Sequence, residues 1–377
     1  MGRVGRSIFF WCVMVLLAAG LGWIYLAGEA IPQAVEFHYT DAEQAPLTAG
    51  ELSHAQEYSS HPFTCADSQV ETVRTPSGES GTVIAVYTDP MYPGIYPFTW
   101  TMGHFWAEGN GAVISQRTAE ELFRTRDAVG ALLQVGGKQY TVTGVYRSAP
   151  LGRAFGPERI FLPITPERPV TMLAFSGDRS AGYYTASLPR EISGRLVSYT
   201  PVLLRREWNV VPMILRLLIL VLAAGALLRL CRRTFPQMET LAERWRTDMR
   251  DCDLKEVLQR NRRRILSVLT GMCGILLSAG VIWWAVSQPP PLPVDYVQEN
   301  LFALSGWLEL FRQRRALLHT IQNPAGGYCL YLTCESIRDT AYLSGIMLLM
   351  AGLRPRGGNE ERKELPHEKR TSGGQMQ

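Results

Sequence analysis

The stretch that decides the fold is residues 102–148, MGHFWAEGNGAVISQRTAEELFRTRDAVGALLQVGGKQYTVTGVYRS. A short apolar strand is predicted over 112–115, and the Ser115 hydroxyl can accept a hydrogen bond from the start of a following helix. Three apolar residues then recur at helical spacing, namely Ala119, Leu122 and Phe123. This spacing predicts a helix of about two turns with one apolar face.

Two alternating runs follow the predicted helix, at 132–135 and 140–145. Between them lie Gly136 and Gly137, a pair that can adopt the positive φ of a tight hairpin turn. The whole stretch therefore predicts a compact strand–helix–hairpin unit. Further strands predicted over 70–74, 82–87, 159–164, 170–175 and 183–188 indicate an α+β domain.

An ordered set of positions runs through this unit: Gly103, Phe105, Ser115, Ala119, Leu122, Phe123, Val129, Gly130, Gly144 and Val145. Their order and spacing resemble the periplasmic core domain of MacB-like ABC permeases. Residues 159–164, a strand ending in proline, resemble the segment that those domains carry next. The resemblance implies an extracytoplasmic domain on a permease subunit that has FtsX-like topology and is powered by a separate cytoplasmic ATPase.

The first apolar segment, residues 7–27, is long enough to cross a bilayer as a helix. Arg3 and Arg6 precede it, which favours a cytoplasmic N-terminus. A cleaved signal peptide is the alternative interpretation of the same segment.

Three more spans are predicted at about 209–230, 265–286 and 337–353. The last is the weakest, because the uncharged stretch 340–353 would rise only about 21 Å as a helix against a hydrocarbon core of about 30 Å. Arg216 lies inside the second span, where helix packing or snorkelling is expected rather than a functional ion pair.

The predicted plan is an integral membrane protein whose α+β extracytoplasmic domain is inserted between the first transmembrane helix and a three-helix portion. Its divisions are an N-terminal helix (1–27), the extracytoplasmic domain (28–207), a permease-like portion (208–353) with a cytoplasmic loop (231–264) and an outer segment (287–336), and a cytoplasmic tail (354–377). An amphipathic helix is predicted within the outer segment, over 297–320.

The loop 231–264 is rich in arginine beside both neighbouring spans, which predicts that it is cytoplasmic. In the MacB-like family the corresponding loop docks on the ATPase. Apolar residues recur within the loop at helical spacing, which predicts amphipathic helices: Leu241, Trp245, Met249, Leu254, Val257 and Leu258. By the resemblance, the candidate coupling contacts are Leu241, Trp245, Met249, Leu254 and Leu258. The loop lacks a clear copy of the family's Glu-Ile-Gly pattern, so a solvated basic loop beside anionic lipid is the alternative.

Cys329 and Cys334 are close enough in sequence to form a disulfide on the outer side, or to remain thiols. Three histidines, His38, His54 and His61, are dispersed, and no cysteine or histidine cluster has zinc spacing. No metal or cofactor is therefore predicted. Residues 89–97 form a Pro/Gly/Tyr loop that could contact a partner or simply connect two elements.

No enzyme signature is present: Gly136-Gly137-Lys138 lacks the other residues of a phosphate-binding loop, and no catalytic serine or metalloprotease motif occurs. The formal net charge of +4 is too small to indicate nucleic-acid binding. No enzymatic activity is therefore predicted. The resemblance implies a permease subunit of the cell membrane that couples an ATPase to the extracytoplasmic domain for export or mechanotransmission. Its expected partners are membrane lipid, that ATPase and a second permease, in a homodimer or heterodimer. A membrane-anchored extracytoplasmic binding or scaffold protein is the alternative.

Overall fold

The computed structural model describes most of the chain. The described residues are 3–28, 31–41, 43–59, 62–107, 109–147, 159–177, 183, 188, 192–251, 254–288, 305–306, 309, 312–313, 315–316, 318 and 328–352. The tail 354–377 and most of the predicted strand 183–188 and predicted helix 297–320 lie outside them.

The domain predicted to be extracytoplasmic, called here the outer domain, is built on one mixed sheet. Its strands are β1 Ala34–Tyr39, β2 Phe63–Arg74, β3 Ser80–Thr88, β4 Trp100–Gly103, β5 Gly111–Ser115, β6 Leu132–Val135, β7 Lys138–Tyr146, β8 Arg159–Pro163, β9 Met172–Ser176 and β10 Tyr199–Leu203. They pair in the order β10-β1-β9-β2-β3-β8-β5-β7-β4, with β6 attached to β2 and β7. The pairs β3–β8 and β5–β7 are parallel, and the others are antiparallel.

Helices occupy both the domain and the remainder of the chain. They are α1 Arg3–Ala27, α2 Ala49–Tyr58, α3 Tyr92–Ile95, α4 Gln116–Phe123, α5 Leu204–Trp208, α6 Val210–Asp251, α7 Leu254–Ser287 and α8 Tyr328–Gly352. With helices beside the sheet and apolar helices on either side of the domain in the sequence, the predicted α+β class with membrane-compatible helices is confirmed.

The predicted unit in 102–148 is confirmed in its local details. The Ser115 hydroxyl accepts a hydrogen bond from the Thr118 backbone N–H at 3.0 Å, so it caps α4. Gly136 and Gly137 join β6 to β7 with φ of 55° and 81°, a conformation that L-residues rarely adopt. The local turn and cap chemistry therefore positions the strands that flank it.

The two faces of the sheet pack against different elements. One face is covered by α2 and α4, whose buried residues include Leu52, Ala119 and Leu122. The other face, called here the helix-side face, packs against the ends of the long helices. Its hydrophobic cluster includes Ile24 of α1, Trp208 of α5, Val211 of α6 and Leu330 of α8. The sheet consequently lies directly on the helix ends.

Three helical segments in the described residues are long and apolar enough to cross a membrane: Phe9–Ala27, Leu204–Arg250 and Glu256–Ser287. The helix α8 carries Glu335, Arg338 and Asp339 and is not among them. It nevertheless begins at Tyr328, nine residues before the predicted start of the fourth span, and 25 residues rise about 37 Å.

The helices also continue through the region predicted as the loop 231–264. The helix α6 runs unbroken to Asp251 and α7 begins at Leu254, so the two form a long hairpin. Cys329 and Cys334 are not joined by a disulfide. Both lie on α8, where five residues rise about 7.5 Å, farther apart than the Cα atoms of a disulfide can be.

Candidate functional site: the sheet–helix junction and the α6–α7 hairpin

A buried carboxylate lies on the helix-side face at β1. Residues two apart in a strand point to the same side, so Glu36 and His38 project together. Glu36 is fully buried, and its two oxygens have different partners. Tyr96 Oη donates to Oε1 at 2.7 Å, and His38 Nε2 lies 2.9 Å from Oε2. This arrangement gives both buried carboxyl oxygens a polar partner, without which their burial would be unfavourable.

Tyr96 comes from the turn that follows α3 and stacks on Tyr92, with ring centroids 4.6 Å apart. Burial raises the pKa of Tyr96 well above its usual range, and the nearby Glu36 carboxylate adds to the shift. Burial also raises the pKa of Tyr92, with Cys329 of α8 as the next cause. Both phenols stay protonated at neutral pH, and Tyr96 can therefore donate to Glu36.

The outer end of α1 is held by α5. Arg205 Nη1 donates to the Gly28 carbonyl at 2.9 Å, which satisfies a backbone acceptor at the end of the helix. The indole of Trp208 lies against Gly28 so closely that an added Cβ would stand 1.8 Å from Cε2. Only glycine fits at this position, and the contact joins α1 to the start of the next long helix.

A second arginine binds the C-terminal end of α8. Arg229 of α6 donates from Nη2 to the Ala351 carbonyl at 3.1 Å. Arg205 and Arg229 are 24 residues apart along a nearly continuous helix, which corresponds to about 36 Å. The two arginine caps thus bracket a length that matches the hydrocarbon core plus part of the headgroup region of a bilayer.

Beyond Arg229, α6 and α7 pack along each other as an antiparallel hairpin. Close contact is possible because Gly271 faces Thr234 and Gly274 faces Leu230. An added Cβ at Gly271 would lie only 2.4 Å from Thr234 Oγ1. The residues from Arg229 to Asp251 add about 33 Å of helix, and we call this part and the facing part of α7 the hairpin extension.

A polar contact lies near the far end of the hairpin extension. Asn261 Nδ2 donates to Asp248 Oδ2 at 3.0 Å and to the Val257 carbonyl at 3.2 Å. Asn261 and Val257 are buried, with 5% and 1% of their surfaces exposed. This contact fixes the two arms relative to each other while leaving their outer surfaces accessible.

The predicted coupling residues all lie on the hairpin extension. Met249 and Leu258 are exposed, and Leu241 and Trp245 are half-buried. Leu254 is the first residue of α7, and its side chain is outside the described part. The structure thus brings these positions to one end of the molecule; their contact with an ATPase remains a prediction.

Sequence reasoning missed the junction residues Glu36, His38 and Tyr96. The signal was the segment 34–39, where a glutamate and a histidine alternate with apolar residues, but their partner is 60 positions away in the chain. The 89–97 loop, interpreted as a surface connection or a partner contact, instead packs Tyr92, Ile95 and Tyr96 into the helix-side cluster. Among the described residues there is no group of side chains that could hold a metal ion.

Comparison with known proteins agrees with this architecture. The family described as MacB-like periplasmic core domain matches residues 19–194. No curated protein matches the chain.

Two solved structures that match the chain are extracytoplasmic parts of transporters. The extracellular domain of the noncanonic ABC-type transporter YknZ from Gram-positive bacteria is 13% identical, with a TM-score of 0.37, and covers 45% of this chain and 99% of its own. The periplasmic region of MacB from Actinobacillus actinomycetemcomitans is 12% identical, with a TM-score of 0.38, and covers 46% and 91%. Neither similarity is strong enough to add to the family match.

The family match covers α1 from residue 19 and the sheet as far as the segment before β10. Apolar helices of membrane-spanning length lie on both sides of this sheet in the sequence. Residues 19–194 are therefore a MacB-like periplasmic core domain of the ABC transporter permease type, carried by a membrane protein with the domain on its extracytoplasmic side.

Proposed function

We propose that the protein is a multi-pass permease subunit of the cell membrane that couples a separate cytoplasmic ATPase to its extracytoplasmic domain. It has no enzymatic step of its own in this proposal. The observation that carries the proposal is continuity: β10 leads directly into α5 and α6, and α6 runs to the far end of the hairpin extension. A displacement at the hairpin extension would therefore reach the sheet through one helical rod.

The direction of the helices follows from the arginine-rich hairpin extension, which belongs in the cytoplasm. The helix α1 then runs outward, α6 inward, α7 outward and α8 inward. The α8 assignment is supported by Arg229, which holds the Ala351 carbonyl at the level where α6 leaves the membrane. Pairing with a second permease, in a homodimer or heterodimer, belongs to the same proposal.

The exposed apolar side chains Met249 and Leu258 are the proposed ATPase contacts. They lie at the end of the hairpin extension farthest from the arginine cap, where lipid could not cover them. Charged residues surround them, as is typical of a surface that a soluble partner binds reversibly.

The test is purification of the tagged full chain in mild detergent, with identification of associated proteins and assay of ATP hydrolysis. The double substitution Met249→Asp and Leu258→Asp should abolish recovery of an ATPase. The matched control is Val197→Asp in the outer domain, where the side chain is 81% exposed and far from the hairpin extension. A wild-type preparation without ATPase, or an ATPase that the double variant retains, would contradict the proposal.

The second candidate is a membrane-anchored binding or scaffold protein. One observation favours it: α8 carries three charges, Glu335, Arg338 and Asp339, and is less apolar than a standard span. A clean wild-type preparation without nucleotide hydrolysis would support this candidate.

A further inference from the structure

The free edge of the sheet carries exposed aromatic side chains. The edge strand β4 is exposed along all four of its residues. Trp100 stacks on Phe98, with ring centroids 5.2 Å apart, and Phe98 packs on Phe105 at 5.6 Å. Trp100 is 36% exposed, and Phe98 and Phe105 are half-buried. We call these three residues the aromatic edge.

The aromatic edge belongs to the helix-side face. Trp100 lies opposite Tyr146 in the β4–β7 pair, and cross-strand neighbours share a face. Phe98 and Tyr146 pack against the cluster that contains Ile24, Trp208 and Leu330. The aromatic edge therefore lies on the side of the sheet from which the long helices leave.

The aromatic edge lies apart from the strands that join the helices. The chain enters the sheet at β1 and leaves it at β10, and β4 is at the other end of the pairing order. The sheet is curved, because β6 pairs with both β2 and β7. The start of α8 lies near Tyr92, which packs on Phe161 of β8. The edge strand β4 is three strands farther along the pairing order than β8.

Little space separates the helix-side face from a bilayer that the long helices cross. Between the end of α1 and the start of β1 lie only residues 28–33, and β10 is followed at once by α5. The helix-side face thus stands close to the level at which the helices enter the membrane. An exposed side chain at the border of that face would then lie beside the lipid surface.

The chemistry of the segment fits such a surface. Residues 90–106 contain no Lys, Arg, Asp or Glu. Five residues of the 96–106 part are aromatic: Tyr96, Phe98, Trp100, Phe105 and Trp106. Tryptophan and tyrosine are enriched where an apolar ring meets the headgroup region. No carboxylate in this segment would have to approach the lipid.

We propose that the aromatic edge rests on the outer leaflet of the membrane and is a lipid-contact surface of the outer domain. The contact supports the domain at the end farthest from its covalent connections. It requires only that the long helices cross a bilayer, and it is independent of ATPase binding.

The experiment uses the full chain in vesicles of phosphatidylcholine brominated near the top of the acyl chains, at a low protein-to-lipid ratio. Bromine quenches tryptophan emission only at short range. The exposed tryptophans of the long helices, Trp11, Trp23, Trp283 and Trp284, are first replaced by phenylalanine, because lipid would quench them as well. In this background the quenched component should be lost in Trp100→Phe, relative to the same variant in unbrominated vesicles. The matched control is Trp106→Phe, since Trp106 is 4% exposed and lies within the cluster; this variant should retain the quenching.

A second variant separates lipid from protein contact. Thr101→Cys places a thiol on β4, and oxidative cross-linking between copies at that position would show that another copy covers the edge. Quenching unchanged by Trp100→Phe, or efficient cross-linking through Thr101→Cys, would overturn the proposal.

Discussion

The two ends of the long helical rod formed by α5 and α6 contrast in how they are packed. At the outer end, Trp208 is 4% exposed, Glu207 is 1% exposed, and the chain is enclosed by the sheet and α1. At the inner end, the two arms of the hairpin extension pack on each other, and Met249 and Leu258 near its tip are open to solvent. The outer end is complete as it stands, whereas the inner end leaves an apolar surface for a partner to cover.

The largest expected effect compares tryptophans at the two ends. Trp208→Ala should lower the free energy of unfolding by about 3–5 kcal/mol, because it removes a buried ring from the contact with Gly28. Trp245→Ala, at a half-buried position of the hairpin extension, should cost about 1 kcal/mol or less. Thermal unfolding in detergent measures both, and equal losses would show that the two ends are packed alike.

The next effect tests the buried carboxylate. Tyr96→Phe leaves Glu36 Oε1 without its phenolic donor, and a loss of about 1–3 kcal/mol is expected. Tyr92→Phe is the control, because it keeps the stacked ring and leaves the Glu36 contact intact. Chemical denaturation of both variants checks this, and a loss no larger in Tyr96→Phe than in the control would refute the role of the hydroxyl.

Alkaline pH should weaken the outer end selectively. The pKa values of Tyr92 and Tyr96 are raised by burial, so the stability from their protonated forms is fully present below the unfolded pKa of about 10 and is lost as the pH rises toward the folded values. Each tyrosine contributes up to about 1.4 kcal/mol per pH unit in that window. Residues 209–288 contain no tyrosine. Melting curves from pH 8 to 11 should show a shallower decline for Tyr96→Phe, and parallel curves would contradict the assignment.

The smallest effect lies in the hairpin extension. Asn261→Ala removes the donor to Asp248 and to the Val257 carbonyl, which should cost about 0.5–1.5 kcal/mol locally. Hydrogen exchange of residues 244–262 should become faster while that of the sheet is unchanged. Ser267→Ala, which removes a 3.3 Å contact to Gln237 on the exposed surface, is the control. Protection lost equally in both variants would argue against Asn261 as the main polar contact between the arms.

Local chemistry made much of the fold predictable. The Ser115 cap, the α4 spacing and the Gly136-Gly137 turn each depend on neighbours within a few residues, and all three were confirmed. The long helices were predictable because continuous apolar stretches admit few other structures. The spacing of Leu241, Trp245 and Met249 predicted helix past residue 230 as well. The unbroken continuation of α6 from the apolar segment into this helix was not predictable, because the same spacing is compatible with a turn between them.

The junction could not be predicted for a different reason. Glu36 and Tyr96 meet only because β1 and the turn after α3 reach the same face, and that depends on the strand order of the whole sheet. The start of α8 at Tyr328 could not be predicted because its first turns contain several polar residues, a pattern typical of a loop or an outer segment. In the structure Thr333, Ser336 and Thr340 are buried against other elements. Burial of polar residues is decided by partners distant in sequence.

The fixed separation of Arg205 and Arg229 bears on how the protein responds to membranes of different thickness. Because the two residues hold neighbouring helix ends about 36 Å apart, the bundle cannot shorten to relieve hydrophobic mismatch, and in a thinner bilayer it must tilt or thicken the lipid around it. A tilt would be transmitted to the sheet, since β10 joins α5 without a linker. Bilayer thickness would then set the angle at which the outer domain stands above the cell surface.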